Sequence, residues 1–347
     1  MRPMRLTFLT ALAVALGSLG CQEDLEAISQ VTKFRVLGVQ TDPPELGPGE
    51  STKVRALTAD PEGNGRLVIG IGFAQAGLFT PNSDITEGSE LSWFLDPTPA
   101  NANGVISFPD ELGVPVDIAD YFPDDGDDDP ANDRLQVTAT ILLCAGDGFE
   151  VAALFTALDD LFDPSAEPED EGTEGSESSL LLQEKCVEAG ADEGLVAFKT
   201  FTISAKAADD PLRNTNPEIA ALTFEEEELT PLAAEPLVFE CEGKDGCRDS
   251  AELVAFLTPE SYQQQEVEQF GEIKLEDERT YISWFIDGGS FSDDRSGTND
   301  PEAGGPFEVK WIPPREGGED FTLWAVAHDI RGGVSWEIYR VSALVVE

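Results

Sequence analysis

The chain has 347 residues, of which 41% are hydrophobic, and its 69 acidic residues against 21 lysines and arginines give a formal net charge of −48. A charge this negative argues against a nucleic-acid binder, because phosphates must be neutralised by basic side chains, and equally against docking onto anionic lipid. The simplest interpretation is solubility outside the cell, and a specific cationic partner is the alternative. The 32 glycines and 23 prolines indicate many turns, as in all-β proteins.

The first twenty residues have the layout of an export signal. Arg2 and Arg5 precede an apolar run from Leu6 to Leu16, which is too short to span a bilayer. Small residues follow, and then the cysteine Cys21. This arrangement resembles the bacterial lipoprotein signal, in which the cysteine at the cleavage point is acylated, although Ser18 stands where that signal usually has leucine.

The resemblance implies a signal peptide over residues 1–20, a lipid on Cys21 and a polar tether over residues 21–32. Two or three acyl chains hold a protein on a membrane durably, because each buried CH2 group contributes about 0.8 kcal/mol. No later run approaches eighteen apolar residues, so the lipid would be the only membrane contact. Gln22 is not the Asp that retains enteric lipoproteins in the inner membrane, which favours the outer membrane or the cell surface. The alternative is an ordinary secretory signal with a coincidental cysteine.

Beyond the tether, short strands and turns rich in proline and glycine alternate at intervals of about ten residues. Residues 34–39, 52–58 and 67–73 read as strands, and the turns between them lie at 43–49 and 60–65. This rhythm predicts an all-β fold of the sandwich type.

An internal repeat predicts two related modules. The matched segments are 91–96 with 282–287, 135–144 with 321–328, and 195–203 with 334–341. Their common order predicts modules over 33–204 and 218–347 with a linker over 205–217. Trp93 and Trp284, one in each copy of the first segment, are then expected in the core on a central strand. A chance similarity between short apolar strands is the alternative.

The second module resembles the bacterial immunoglobulin-like and PKD-like domains of cell-envelope proteins. The resemblance lies in three segments, Lys310–Pro314, Phe321–Val326 and Asp329–Val334. It implies an all-β chain of two immunoglobulin-like β-sandwich domains in tandem, with no catalytic residues to carry over. The Asp329–Gly333 turn is then structural, and its glycines supply positive φ angles.

The first module departs from this pattern by an insertion over residues 145–193. Apolar residues at helical spacing predict an amphipathic helix over 149–162, and 179–189 is expected to form a second helix. The cysteines other than Cys21 are Cys144, Cys186, Cys241 and Cys247. An even number in an exported chain predicts two disulfides with three connectivities open, and we favour the local pairs Cys144–Cys186 and Cys241–Cys247.

An acidic segment over residues 117–133 is the one candidate metal site. Its candidate Ca²⁺ ligands are Asp124, Asp125, Asp127, Asp129 and Asp133. The EF-hand pattern fails, because counting from Asp125 puts Pro130 at the glycine position and Gln136 at the glutamate position. An irregular calcium loop and a solvated acidic loop both remain open.

No catalytic grouping stands out in the sequence. The chain has a single histidine, His328, and lacks the G-x-S-x-G, S-x-x-K, dinucleotide-binding and P-loop motifs. We therefore expect a non-enzymatic, lipid-anchored cell-envelope protein with a structural or adhesive role and no cofactor other than Ca²⁺. Its expected partners are the membrane, through the lipid, and an envelope protein or a glycan. The alternative functions are a calcium-dependent glycan- or protein-binding module that uses residues 117–133, and a hydrolase.

Overall fold

The structure is a computed structural model and is almost entirely β. It describes residues 28–74, 91–116, 136–149, 184, 186–188, 190–191, 196–204, 206–242, 246–269, 272–297 and 305–346. Helical conformation in this part of the chain is confined to the 3-10 turn Pro259–Ser261 and to residues 184 and 186–188. Within the described residues, no helix has the length and apolarity that crossing a membrane requires.

The N-terminal strands form two sheets that face each other. These strands are β1 (Arg35–Asp42), β2 (Glu45–Leu46), β3 (Ser51–Ala59), β4 (Leu67–Ala74), β5 (Leu91–Pro99), β6 (Val105–Gly113), β7 (Gln136–Gly146) and β8 (Val196–Ser204). Sheet I has the order β1-β3-β6, and sheet II has the order β2-β8-β7-β4-β5. All pairings are antiparallel except that of β2 with β8.

The C-terminal strands form a second pair of sheets. They are β9 (Ile219–Phe224), β10 (Glu227–Glu228), β11 (Leu237–Glu242), β12 (Ala251–Leu257), β13 (Gln264–Gln269), β14 (Glu272–Asp277), β15 (Thr280–Ile286), β16 (Ser290–Phe291), β17 (Arg295–Gly297), β18 (Phe307–Ile312), β19 (Gly318–Asp329) and β20 (Val334–Val346). Sheet III has the order β10-β9-β12-β18-β16, sheet IV has the order β11-β20-β19-β15-β17, and β13 and β14 form a separate hairpin.

The two pairs of sheets have the same topology. Strands β1, β3 and β6 of sheet I correspond to β9, β12 and β18 of sheet III, and sheets II and IV match strand for strand, including one parallel edge pairing each. The arrangement of three strands facing a larger sheet is that of an immunoglobulin-like sandwich. The all-β sandwich class predicted from the sequence is therefore confirmed.

One segment of the predicted repeat is placed differently from its partner. The segments in β7 and β8 do occupy the same positions as those in β19 and β20. Residues 91–96, however, lie on the edge strand β5, and the counterpart of β15 is β4. The sequences of the two segments are similar because each packs an aromatic residue beside a sandwich core. The strands that carry them nevertheless occupy different positions in their sheets.

Because one segment lies on an edge strand and the other on an inner strand, the two tryptophans that the repeat predicts in the core differ in burial. Trp284 on β15 is fully buried, as predicted. Trp93 is only half-buried on the edge strand, where its indole N–H donates to the Gly113 carbonyl oxygen at 2.8 Å. The prediction that Trp93 lies on a central strand is therefore wrong.

Each pair of sheets encloses its own apolar core. The alternation of buried and exposed residues along β18 is typical, with Phe307, Val309 and Trp311 pointing inward. In the N-terminal pair the equivalent contacts come from β3 and β7, whose residues include Val54, Ala56 and Ile141. Strands with this period of two bury one face and leave the other available for a second contact.

A third apolar core joins sheet I to sheet IV. Leu37 and Leu57 on the outer face of sheet I pack with Trp324, Val326 and Ile338 on the outer face of sheet IV. Sheet I is consequently buried on both faces around Leu37 and Leu57, whereas Lys53 and Arg55 on β3 stay exposed. Gly38 lies at the closest approach, since a Cβ added there would stand 3.2 Å from a Val326 methyl carbon.

The segment that precedes β1 also contacts the C-terminal sheets. Val31 donates its N–H to the Ile286 carbonyl at 2.8 Å, and the Ile286 N–H donates to the Ser29 carbonyl at 2.9 Å. Ser29 and Val31 are buried. The last residues of the predicted tether therefore pair with the end of β15 through a single parallel β-bridge, from Gln30 to Ile286.

The disulfides are those the sequence favours. Cys144 at the end of β7 is bonded to Cys186, and Cys241 in β11 is bonded to Cys247. The helical residues 184 and 186–188 fall inside the predicted second helix of the insertion. The predicted helix over 149–162 lies almost wholly outside the described residues.

Replacing Gly38 with leucine should open the contact between sheets I and IV. The larger side chain would overlap Val326, Val334 and Trp336, and overpacking of this kind costs roughly 1–3 kcal/mol. Urea unfolding monitored by tryptophan fluorescence measures the loss. Gly113→Leu is the matched control, because a Cβ at Gly113 meets no atom within 4 Å, and equal stability of the two variants would contradict the packing described here.

Candidate functional site

The charged residues of greatest interest lie where the two pairs of sheets meet. Buried polar side chains gather there from β2, β8, the segment 206–217, the end of β19, and the start of β15 with the residues just before it. They are Glu45, Lys199, Ser204, Arg213, Asn214, Glu278, Thr280 and Asp329, each no more than 8% exposed. Buried charges are tolerated only when they are paired or hydrogen-bonded, so the partners of each define what this region does. We call the region the joint.

Glu45 is the centre of the joint on the N-terminal side. One carboxylate oxygen accepts a hydrogen bond from the Ser204 hydroxyl at 2.6 Å, and the other accepts from the Asn214 backbone N–H at 2.8 Å. The guanidinium of Arg331, from the C-terminal sheets, lies 3.8 Å from the second oxygen. Glu45 thus connects its own sandwich to the linker and to the second sandwich.

Arg213 fixes the linker to the N-terminal sandwich. Its guanidinium donates to both carboxylate oxygens of Glu50, one of them at 2.9 Å, and to the Glu45 carbonyl oxygen at 2.7 Å. The hydrogen bond from Arg213 lowers the pKa of Glu50 and raises that of Arg213. The pair therefore stays charged.

Arg331 forms the equivalent bidentate pair on the C-terminal side. Its Nε and Nη2 donate to the two oxygens of Glu278 at 3.0 and 2.9 Å, and its Nη1 donates to the Leu212 carbonyl in the linker at 2.8 Å. The Glu278 side chain is 1% exposed. Burial raises the pKa of Glu278, and the hydrogen bond from Arg331 opposes that rise.

The turn between β19 and β20 is locked into the joint by its own carboxylate. Asp329 Oδ1 accepts from the backbone N–H of Arg331 at 2.8 Å and of Gly333 at 2.6 Å. Gly332 has a φ of 96°, as the sequence predicts for this turn, and a Cβ there would stand 2.6 Å from the Thr200 carbonyl oxygen. Only glycine lets the turn approach β8 this closely.

Asn216 adds a bridge between backbones of the two sandwiches. Its side-chain amide donates to the Thr41 carbonyl at 2.8 Å and its oxygen accepts from the Val334 N–H at 2.9 Å. The segment predicted as a linker is therefore hydrogen-bonded to both sides rather than extended between them.

A cleft opens beside the joint, between β1, β8 and the β19–β20 turn. Its volume is about 500 Å³, and Val36, Val39, Phe198, Lys199, Tyr281 and His328 are among the residues that line it. The Tyr281 and His328 rings stack with centroids 4.6 Å apart, and the Arg295 guanidinium lies 5.5 Å from the Tyr281 centroid. The Lys199 amine donates to the Gly332 carbonyl oxygen.

Two bases in the cleft have strongly altered affinities for protons. Burial lowers the pKa of Lys199 to about 8, and the nearby Asp329 carboxylate opposes that shift. Burial also lowers the pKa of His328 to about 3, with Lys199 and Arg295 adding to the effect. His328 is therefore neutral at physiological pH, as its stacking on Tyr281 favours.

The structure does not describe the residues that the sequence predicts as lipid and metal sites. Cys21 and the candidate calcium ligands Asp124, Asp125, Asp127, Asp129 and Asp133 fall outside the described residues. In the part of the chain that the structure does describe, no group of three or more His, Cys, Asp and Glu side chains is placed to hold a metal ion. The calcium site stays a prediction.

The sequence did contain one signal for the cleft. Along β8, side chains point alternately to the two faces of the sheet, so Lys199 lies on the same face as Phe201 and Ile203, which are both buried. A lysine at a predicted core position is unusual, because an ammonium is rarely buried without a partner. By contrast, Glu45 and Arg213 lie in turn-like segments where charged residues are unremarkable.

The chain was compared with protein families, curated proteins and solved structures. No protein-family model matches the chain, and no curated protein matches it significantly. Among solved structures, the chain is similar to red sea bream transglutaminase (TM-score 0.24, 10% identity, 99% of this chain and 34% of that one). It is also similar to Escherichia coli alpha-2-macroglobulin activated by porcine elastase (TM-score 0.24, 8% identity, 92% and 23%). A third is the Yersinia pseudotuberculosis adhesin InvE (TM-score 0.20, 11% identity, 89% and 60%).

The chain spans about a third of the transglutaminase, about a quarter of the macroglobulin and 60% of the adhesin. At TM-scores this low the similarities carry no argument about activity or partners. The candidate site is therefore interpreted from its own residues.

Replacing Arg331 with methionine should destabilise the protein strongly. The variant leaves Glu278 buried without its bidentate partner, and breaking a buried pair in this way costs about 3–5 kcal/mol. Chemical denaturation measures the change. Adding Glu278→Leu to Arg331→Met should restore much of the stability, because the uncompensated charge is then removed.

Arg340→Met is the matched control for this prediction. Arg340 pairs with Asp320 at 2.8 Å, but the two side chains are 35% and 53% exposed. An exposed pair contributes about 1 kcal/mol or less. A loss for Arg331→Met no larger than that for Arg340→Met would show that the joint is not held by its buried ions.

The single histidine gives a direct test of the cleft's environment. The His328 Cε1 proton resonance should not titrate between about pH 8 and about pH 5 in the folded protein, and should titrate near pH 6.5 in concentrated urea. Because the folded pKa lies below the unfolded one, protonation favours unfolding. The stability from neutral His328 is complete above about pH 6.5 and is lost as the pH falls towards 3, by up to about 5 kcal/mol.

His328→Gln is the control, since it removes this titration while keeping a polar side chain. Its stability should depend less steeply on pH across that acidic range. A folded-state midpoint near 6.5 would contradict the buried, stacked position of His328.

Proposed function

We propose that the protein is a non-enzymatic, lipid-anchored cell-envelope protein that displays two immunoglobulin-like sandwiches as one rigid unit, in a structural or adhesive role. The observation that carries this proposal is the joint. Domains in one chain normally move relative to each other unless the contact between them is extensive and apolar. Here an apolar core shared by sheets I and IV adjoins a set of buried ion pairs.

The joint has the properties that a load-transmitting spacer requires. The linker is held to the first sandwich by Arg213 and to the second by the contact of Leu212 with Arg331. The segment that leads from the proposed anchor pairs with β15 of the second sandwich. A force applied at the N-terminus would therefore act on both sandwiches together, without first extending a flexible linker.

Several features support placement outside the cytoplasm. Two disulfides are typical of proteins that fold in an oxidising compartment. The export signal that ends at Cys21 supplies the route and the anchor, on the outer membrane or the cell surface. The net charge of −48 keeps the displayed surface soluble, and an envelope protein or a glycan remains the proposed partner.

The chemistry of the joint also supports a non-enzymatic role. Its ionised groups are paired with one another and with backbone atoms, and the pairs contain no free nucleophile beside a base. His328 is the only histidine of the chain, and with a pKa of about 3 it is a poor general base at neutral pH.

A complementation experiment tests the proposal. In a strain that lacks the protein, the wild-type chain should restore adhesion of cells to each other or to a surface, and it should incorporate labelled fatty acid. Cys21→Ser should lose the label, move to the soluble fraction and fail to restore adhesion. Restoration by the Cys21→Ser variant equal to that by wild type would overturn the anchored role.

The rigid joint is tested in the same strain. Gly38→Leu should keep its fatty acid and its membrane location but restore adhesion poorly, because the contact between the sandwiches is opened. Gly113→Leu, which alters a glycine with free space around it, should restore adhesion fully. If Gly38→Leu works as well as Gly113→Leu, rigidity is not needed and the proposal loses its main support.

A further inference from the structure

We propose that the cleft between β1, β8 and the β19–β20 turn binds a small organic anion: a molecule with an apolar, ring-sized body and one carboxylate or sulfonate group held by Lys199. This inference goes beyond the scaffold role and rests on different observations. It would stand or fall independently of the lipid anchor.

The first observation is an unusual cation at the floor of the cleft. Lys199 is only 6% exposed, and its amine reaches across from β8 to the second sandwich to donate to the Gly332 carbonyl. An ammonium has three N–H donors, and within the described residues this carbonyl is the one acceptor that bonds to it. Its pKa of about 8 keeps most of the amine protonated at pH 7. A desolvated cation with unused donors favours an anionic oxygen.

The nearest carboxylate does not occupy that position. Asp329 Oδ1 is engaged by the backbone N–H groups of Arg331 and Gly333. Its other oxygen points at Gly333, where it stands 2.0 Å from the position of an added Cβ. The carboxylate thus faces its own turn, and no ion pair within 4 Å links it to the described amine of Lys199.

The second observation is that apolar residues form part of the walls, beside polar ones. The apolar residues include Val36 of β1 and Ile330 of the β19–β20 turn, and Ile330 is 52% exposed. Apolar groups near a buried cation are a feature of ligand pockets, where apolar walls accompany a few polar groups. A volume of about 500 Å³ lies in the range of sites for small molecules.

The aromatic pair in the cleft disfavours a cationic ligand. Tyr281 is stacked on His328, and Arg295 already lies over the Tyr281 ring. The ring's cation-attracting face is therefore used within the protein. A second positive charge would also meet Lys199, whereas an anion meets a complementary one.

The overall charge of the chain means that an anion can bind only at a local positive site. A chain with a net charge of −48 repels anions in general, so an anion that binds must find a local positive site. At physiological ionic strength the screening length is about 8 Å, which weakens the general repulsion but leaves a direct contact with Lys199 largely intact.

The experiment uses two fluorescent probes of the same shape and the purified full chain at pH 7. The anionic probe is 8-anilinonaphthalene-1-sulfonate, and the neutral one is N-phenyl-1-naphthylamine. Wild type should bind the anion more tightly than the neutral probe. Lys199→Met should weaken binding of the anion about tenfold or more and change binding of the neutral probe less than about twofold, a difference that corresponds to the loss of one charge-assisted contact.

Lys53→Met is the matched control, because the Lys53 side chain is 72% exposed, pairs with Glu111 and does not line the cleft. It should bind both probes as wild type does. Equal affinity of wild type and Lys199→Met for the anion would overturn the proposal, as would a wild-type preference for the neutral probe. Near-ultraviolet circular dichroism shows that each variant is folded.

A second measurement keeps the proposal testable without any variant. On the wild-type chain, 3-phenylpropionate should displace the anionic probe at a concentration at least about tenfold lower than 3-phenylpropan-1-ol, which has the same body without the carboxylate. Equal displacement by the acid and the alcohol would mean that Lys199 does not recognise the anion, and would overturn the inference.

Discussion

The structure depends on ion pairs that are buried where the two sandwiches meet. Glu278 and Arg331 are nearly buried, and their attraction has to offset the loss of hydration of both groups. Such a pair adds little net stability compared with apolar side chains of the same size. It does, however, make any arrangement that separates the partners costly, because each would then be buried alone or need to be rehydrated. Glu278 and Arg331 both belong to the C-terminal sandwich, so their pair fixes the position of the Arg331 side chain there. The contacts of Arg331 with Glu45 and with the Leu212 carbonyl then link that sandwich to the first sandwich and the linker, and the apolar core supplies the favourable free energy.

Sheet I shows how this joint shapes the rest of the fold. A three-stranded sheet in an isolated sandwich has one wet face, yet Leu37 and Leu57 on its outer face are buried against sheet IV. Without that contact, a row of apolar side chains would be exposed on the surface of the first sandwich. The two sandwiches are therefore not simply strung together. The apolar outer faces of sheets I and IV require each other, and Gly38 permits the strands to come close enough.

The sequence predicted what depends on local pattern. Alternating residues predicted the strands, the order of repeated segments predicted two similar sandwiches, and short separations favoured the disulfides that form. It misplaced Trp93, because an edge strand and a central strand both carry an aromatic residue flanked by apolar ones. It could not predict that Glu45 meets Asn214 or that Lys199 meets Gly332, since these partners are 169 and 133 residues apart. Such contacts depend on how the sandwiches pack together, which no local pattern encodes.

The cleft and the joint share the turn from Asp329 to Gly333, and this connects their energetics. The turn presents Gly332 to Lys199 on one side and Arg331 to Glu278 on the other. A ligand held by Lys199 would bind only when the turn is seated against β8, because the apolar walls come from both sandwiches. Any molecule that binds the assembled form in preference to the separated one stabilises the assembled form by mass action. Occupation of the cleft would therefore tighten the joint, so that the rigidity of the displayed unit depends on what the cleft contains.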